Sequence, residues 1–287
     1  MRRAAAAAIA VGLLAGCSVA RRGPAAELSA DEIVSRSVAA RGGGAAWRKV
    51  GTMVWIGHIE SAHAPLPSMP FSLEQKRPNQ TRLQIDALGY RSLRVFDGAR
   101  GWKVPAGREP SQAVPYTPEE VRYARAGPGL DGPLFDHAAR RASVTLESLD
   151  ELGKRKAYHL KVHPAEGGDE DVWVDAETWL EVRHDRMAEG PGGAPRRVSI
   201  TYGDYRTVDG LKIPFLVETG GGPGATPDRM RIDRVVLNAP IDDSEFSNPA
   251  DRRPRRWSPG AAARAAAAVA RSTAPGIAGR GRGLAPP

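Results

Sequence analysis

A chain of 287 residues with 41% hydrophobic residues is long and apolar enough for a sizeable core, and its 41 Lys and Arg against 33 Asp and Glu give +8 at pH 7. The excess sits at the ends: eight Arg and one Asp fall from Asp251 to Pro287, four Arg and no acid within residues 1–22, which leaves −3 for residues 23–250. A mildly acidic body excludes a nucleic-acid-binding face over the whole domain, and one cysteine excludes a disulfide within the chain.

The chain opens on Arg2 and Arg3, a positive n-region, followed by an apolar stretch from Ala4 to Leu14. That stretch is short of the roughly 20 residues needed to span a bilayer, so it reads as a signal peptide. Leu14-Ala15-Gly16-Cys17 closes it and resembles the bacterial lipobox. The resemblance implies diacylglycerol transfer to the Cys17 thiol and cleavage before it: residues 1–16 are the leader and 17–27 a lipidated tether. Each buried methylene contributes about 0.8 kcal/mol, so two or three chains on one residue anchor stably where one is marginal. Arg21 and Arg22 either lie among lipid phosphates or keep the tether soluble.

Ser29-Ala30-Asp31-Glu32 is a capping box, and Leu28 can staple onto Ile33, so a helix is expected from Ser29 to about Arg41. Gly42, Gly43 and Gly44 end it, and a short helical turn over residues 45–50 brings Trp47 toward the core. From Gly51 the pattern changes to period two. Strands are expected near 51–62, 70–77, 80–87, 91–97, 100–104, 143–150, 156–163, 171–175, 179–186, 196–204, 211–218 and 229–238, in an antiparallel sheet. Asp97-Gly98, Gly167-Gly168 and Asp209-Gly210 suit tight turns. The series breaks between Tyr116 and His137. There Thr117, Pro118 and Glu120 write a second capped helix, and Gly127-Pro128-Gly129 and Gly132-Pro133 make a hinged loop with a short second helix. A helix and loop inserted in one sheet read either as a cover over a concave face or as plain connection. From residue 250 on, Ala, Arg, Gly and Pro dominate, and disorder is expected. That tail is either an arm touching anionic headgroups or a solvated extension.

No nucleophile elbow, no His-Glu-x-x-His and no cysteine cluster occurs, so the sequence offers no catalytic residue, no cofactor and no metal site. His159 and His163 share the polar face of a strand with Lys161, a poor neighbour for a metal. Asp169, Glu170 and Asp171 lack the spacing of a calcium loop and read as hairpin polarity.

Lys76-Arg77-Pro78-Asn79 and Val95-Phe96-Asp97-Gly98 leading to Trp102 resemble motifs of the periplasmic lipoprotein carriers LolA and LolB. The wider pattern resembles outer membrane lipoprotein-sorting proteins: Asp131-Gly132-Pro133-Leu134, Val174-Asp175-Ala176-Glu177-Thr178, Asp204-Tyr205-Arg206-Thr207-Val208-Asp209-Gly210, Pro214-Phe215, and Ile241-Asp242-Asp243-Ser244-Glu245-Phe246. The resemblance covers residues 28–249. It implies a mostly β fold with some α: a half-open antiparallel β-barrel whose concave apolar side, covered by helices, takes up acyl chains. Arg77 stands where the carrier's arginine helps hold the cover closed, and it reads equally as a surface arginine beside a turn proline. Candidate lining residues are Trp55, Phe71, Leu83, Ile85, Phe96, Ile213 and Phe215, each equally readable as core, and Trp102 of the barrel wall is counted with them as a ligand contact although it reads more readily as a core tryptophan.

The lipobox sets this chain apart from the soluble carrier and brings it closer to the anchored receptor, although no segment matches that receptor's protruding apolar loop. Ser18, where aspartate is the usual inner-membrane retention signal, favours the periplasmic face of the outer membrane. The expected function is non-enzymatic binding of lipid or lipoprotein acyl chains in lipoprotein sorting or lipid transport. The alternative is a sensor or assembly module of the same fold that binds an envelope protein partner, since fold does not fix function.

Overall fold

The computed structural model describes residues 28–127, 129–165, 167–189, 194–220 and 226–251. The leader, Cys17 and the tail from residue 252 lie outside them, and with them the readings made there.

The first helix, α1 (Ala30–Ala40), starts as its capping box dictates: Ser29 Oγ accepts from the Glu32 N–H at 3.2 Å and Glu32 Oε2 from the Ser29 N–H at 2.9 Å. The Ser29 backbone N–H and hydroxyl hold the Glu32 carboxyl below its ordinary range. Ile33 and Val34 on one face of α1 are buried with Leu134, Leu160, Val162, Val172 and Val174. The chain then turns at Gly42, whose φ is +112°, and a Cβ there would lie 2.6 Å from the Gly210 carbonyl oxygen. Only glycine suits both the positive φ and the close approach. The turn feeds a single helical turn, α2 (Gly44–Trp47), which buries Trp47.

Among the described residues thirteen strands follow: β1 (Thr52–Glu60), β2 (Met69–Lys76), β3 (Gln80–Ala87), β4 (Tyr90–Phe96), β5 (Gly101–Val104), β6 (Val114–Pro115), β7 (Ser143–Leu152), β8 (Arg155–His163), β9 (Glu170–Asp175), β10 (Glu181–Glu189), β11 (Pro195–Val208), β12 (Leu211–Gly220) and β13 (Asp228–Leu237). All lie in one sheet, ordered β6-β5-β4-β3-β2-β1-β13-β12-β11-β10-β9-β8-β7, and every pairing is antiparallel. Each of the twelve expected strands is present within a few residues. β6 was not expected, because two residues carry no alternation.

The topology positions the cover. β6 and β7 are the two free edges of the sheet, so the segment joining them, residues 116–142, must pass from edge to edge. It contains α3 (Pro118–Ala126), capped by Thr117 and Glu120 as expected. Residues 129–141 then form turns in place of the expected second short helix. Two prolines and three glycines in residues 127–133 leave few residues able to sustain helical hydrogen bonds.

Cross-strand register divides the sheet into two faces. Met53 and Trp55 of β1, Phe71 and Leu73 of β2, Leu83 and Ile85 of β3, Ile213 and Phe215 of β12, and Val235 of β13 share the inner, apolar face. The outer face of β1–β5 carries Val54, Leu93, Val95 and Val104, and the C-terminal segment folds back over it with Ala239, Ile241 and Phe246. Lys76 ties that segment down, its ammonium donating to the Ile241 carbonyl at 3.0 Å and to Asp243 at 2.6 Å.

On the outer face of β7–β11 the side chains are polar and mutually satisfied. Trp173 lies between His159, stacked at 4.4 Å, and the Arg183 guanidinium at 4.5 Å, and its indole N–H donates to Asp150 at 2.8 Å. Asp171 accepts from His159 at 2.8 Å and also from Arg197. Burial would raise the Asp171 pKa, but these partners outweigh it and hold the carboxyl below its ordinary range. His159 is thereby part of a structural ladder.

Candidate ligand site on the concave face

The cover is fixed to the sheet by the segment Lys76-Arg77-Pro78-Asn79 at the end of β2. Arg77 donates through both terminal nitrogens to the two carboxylate oxygens of Asp131, at 2.6 and 2.5 Å, and also to the carbonyls of Val50 at 2.7 Å and Trp47 at 3.1 Å. One guanidinium thus joins β2, α2 and the cover loop. A fork of this kind needs the planar five-donor group of arginine. Asn79 donates to the carbonyls of Ala124 and Arg125, satisfying the last turn of α3. Asp131 is fixed a second time through its backbone, its carbonyl accepting from Arg41 at 2.6 Å.

Beneath the clasp the interior is packed. Trp47, Val50 and Met53 meet Leu130 and Phe135 of the cover loop in one apolar cluster with Leu211, Ile213 and Phe215. Toward the far ends of β1, β3 and β13 the cluster loosens: Trp55, Ile59, Leu73, Leu83, Ile85, Val217 and Met230 are only partly buried. A cavity of about 510 Å³ opens there, its apolar lining supplied by Ile59, Met69, Ile85, Tyr90 and Met230 and its polar lining by Ser61, His63, Ser92, Thr219 and Asp228. The strand register sets this mouth and the Arg77 clasp at opposite ends of β1, since Thr52 pairs with Lys76 and Ile59 with Met69. The site is therefore an apolar trough, plugged at one end and open at the other.

Of the residues singled out from sequence, Trp55, Phe71, Leu83, Ile85, Ile213 and Phe215 lie together on this inner face. Phe96 pairs with Thr81 and so faces inward too, nearer the edge, at 1% exposure. Trp102 does not join them: it is opposite Val95 and packs into the outer-face cluster with Leu93, Val104 and Phe246. That is a correction. Alternation in a four-residue strand separates two faces without saying which is concave.

Sequence reasoning passed over Asp131 as the partner of Arg77, Leu130 and Phe135 as the plug, and Ile59, Met69 and Met230 at the mouth. It also passed over an exposed apolar tip at the β3–β4 turn beside the mouth, where Leu88 is 62% and Tyr90 58% exposed. The trough has a polar flank as well. His184 is fully buried on the inner face of β10 and bonds Glu170 at 2.7 Å. Tyr202 and Tyr205 lie nearby in β11, and burial, with the negative Glu181, raises both phenols above their ordinary range. An indole N–H, that of Trp55, is buried without a hydrogen-bond partner among the described residues.

No helix among the described residues is long and apolar enough to cross a membrane, and no group of three or more His, Cys, Asp or Glu among them is placed to hold a metal ion. No protein-family model and no curated protein matches the chain. Solved structures do. An outer membrane lipoprotein-sorting protein domain from Vibrio parahaemolyticus matches at a TM-score of 0.51 and 10% identity, over 77% of this chain and 97% of that one. A DUF1329 family protein from Desulfovibrio piger matches at 0.50 and 11%, over 78% of this chain and 99% of that one. A LolA superfamily protein from Nitrosomonas europaea scores 0.49 at 10% identity, over 77% and 98%. With its open antiparallel sheet, its covered concave face and a match over 97% and 99% of the Vibrio and Desulfovibrio domains, the chain has the open antiparallel half-barrel fold of those domains.

Proposed function

We propose that this protein is a lipid-anchored envelope lipoprotein that takes the acyl chain of a lipid or lipoprotein into the half-barrel, in lipoprotein sorting or lipid transport at the periplasmic face of the outer membrane. The observation that carries the reading is the apolar trough, loosely packed at the mouth and closed by the Arg77–Asp131 clasp at the other end. An acyl chain needs a dry concave surface without hydrogen-bonding demands, and the branched and aromatic residues on one sheet face supply it. The buried Trp55 N–H adds a donor that an ester carbonyl can satisfy. No covalent chemistry is assigned to any residue. Cys17 supplies the anchor, and Arg77 holds the cover down until cargo enters.

Titration with a fluorescent fatty acid tests this. Saturable uptake is expected, weakened at least tenfold by Met230→Glu combined with Ile85→Asp, since each places a charge on a surface that must be dry. No uptake by the unaltered chain contradicts the reading. The packed clasp end favours one second reading, in which the same fold presents its surface to an envelope protein partner, and absence of any lipid uptake would turn the search there.

A further inference from the structure

A second cavity, of about 640 Å³, lies outside the trough, between α3, the cover loop and the β8–β9 turn. Its walls are apolar at Val121, Leu130 and Val162, but four arginines line it: Arg122 and Arg125 from α3, Arg140 and Arg141 from the cover loop. Arg122 is paired with Glu119, and Arg140 is committed to the carbonyls of Gly132, Pro133 and Phe135. The side chains of Arg125 and Arg141 have no hydrogen-bond or ion-pair partner among the described residues. The cavity's described acids are already engaged, Asp131 by Arg77 and Glu170 by His184. A concentration of four cationic groups in a body whose net charge is −3 over residues 23–250 is a local field that the composition of that body does not account for.

We propose that this cavity binds a phosphate group, gripped by Arg125 from one wall and Arg141 from the other. A tetrahedral phosphate presents its oxygens to guanidinium forks arriving from two different walls, whereas a carboxylate offers two oxygens in a single plane. The apolar walls accommodate the carbon skeleton next to it. The phosphate arrives either as a lipid headgroup or as a soluble phosphate ester. The site borders the plugged end of the trough, sharing Leu130 and the Arg77-bound Asp131 with it, but needs no acyl chain there.

Calorimetric titration of the full chain, held in an uncharged detergent, decides the matter with three probes: glycerol 3-phosphate, dihexanoylphosphatidic acid and dihexanoylglycerol. The proposal expects saturable binding of a phosphate-bearing probe, weakened at least tenfold by Arg125→Gln with Arg141→Gln, because charge-assisted hydrogen bonds are lost. Both side chains are exposed, so the double variant retains its fold, which its thermal midpoint verifies. Equal affinity for the two phosphate probes assigns a soluble ester, and at least tenfold preference for the phosphatidic acid assigns a headgroup. Failure of both to bind, unchanged affinity in the double variant, or equal binding of dihexanoylglycerol overturns it. A chain that fails here and still takes up the fatty-acid probe loses the phosphate site and keeps the trough.

Discussion

Arg77 shows how a single residue sets the state of the site. Its fork on Asp131 is half-buried, at 32% and 18% exposure, and its other donors reach two backbone carbonyls, so its loss leaves several acceptors unsatisfied. Arg77→Leu is expected to cost about 2 kcal/mol of stability, read from a shift in the urea midpoint, and to speed amide exchange in residues 129–135. An unchanged exchange rate there would contradict the clasp. Arg77→Lys keeps the charge without the fork and is expected to restore only part of the loss.

The buried carboxylates fix the pH behaviour. Asp171, Asp175 and Glu120 are all held below their ordinary values of 3.8, 3.8 and 4.5. In each case burial opposes the shift, and it is outweighed at Asp171 by His159 and Arg197, at Asp175 by Thr178 and Glu177, and at Glu120 by Lys103, Thr117 and Arg94. A depressed folded-state pKa contributes stability that is fully present above the unfolded-state value and lost as pH falls through the folded one. Stability from these groups is therefore expected to hold from pH 7 to about 5 and to decline below about 4, with a shallower decline in Asp171→Asn, measured by urea unfolding across pH. At this scale the sequence was least legible. Arg77 and Asp131 are 54 positions apart, and nothing local links them. His184 had no partner in view until the β9–β10 pairing brought Glu170 to it.

At the level of elements, local rules carried further. Both capping boxes are formed as written, because each needs only residues three positions apart. Thr117→Ala should therefore destabilise the cover by about 1 kcal/mol, detectable as faster exchange across α3. Asp209-Gly210 makes its turn with φ of +46° and +83°, and Asp97 accepts from the N–H groups of Ala99 and Arg100, so these motifs report turn chemistry as well as kinship. Where a choice between faces was needed, local pattern ran out, and Trp102 went to the wrong one. The C-terminal segment was recognised through Ile241–Phe246 but not placed. It covers the outer face of β1–β5, with Phe246 fully buried. Phe246→Ala is expected to cost about 3–5 kcal/mol, seen as a large fall in the unfolding midpoint, although the residue is remote from the trough. A shift under 1 kcal/mol would mean that the segment is dispensable.

For the molecule as a whole, one topological fact organises the rest. β1 pairs with β13, which joins the two runs of strands into a single sheet, and leaves β6 and β7 as edges that the cover must connect. The concave face is thereby roofed by the chain's own connection, fastened at one end and open at the other. Strand alternation made the sheet legible in advance. The cross-over of the cover became clear only from strand order, which depends on the long-range pairing of β1 with β13.

The central claim is that the trough holds an acyl chain. Native mass spectrometry of the chain purified from a cell envelope, paired with extraction of whatever it carries, tests this most directly. A stoichiometric acylated molecule, released by excess fatty acid and lost in the Met230→Glu, Ile85→Asp variant, is the expected result; an empty chain that takes up no lipid under any condition would contradict it.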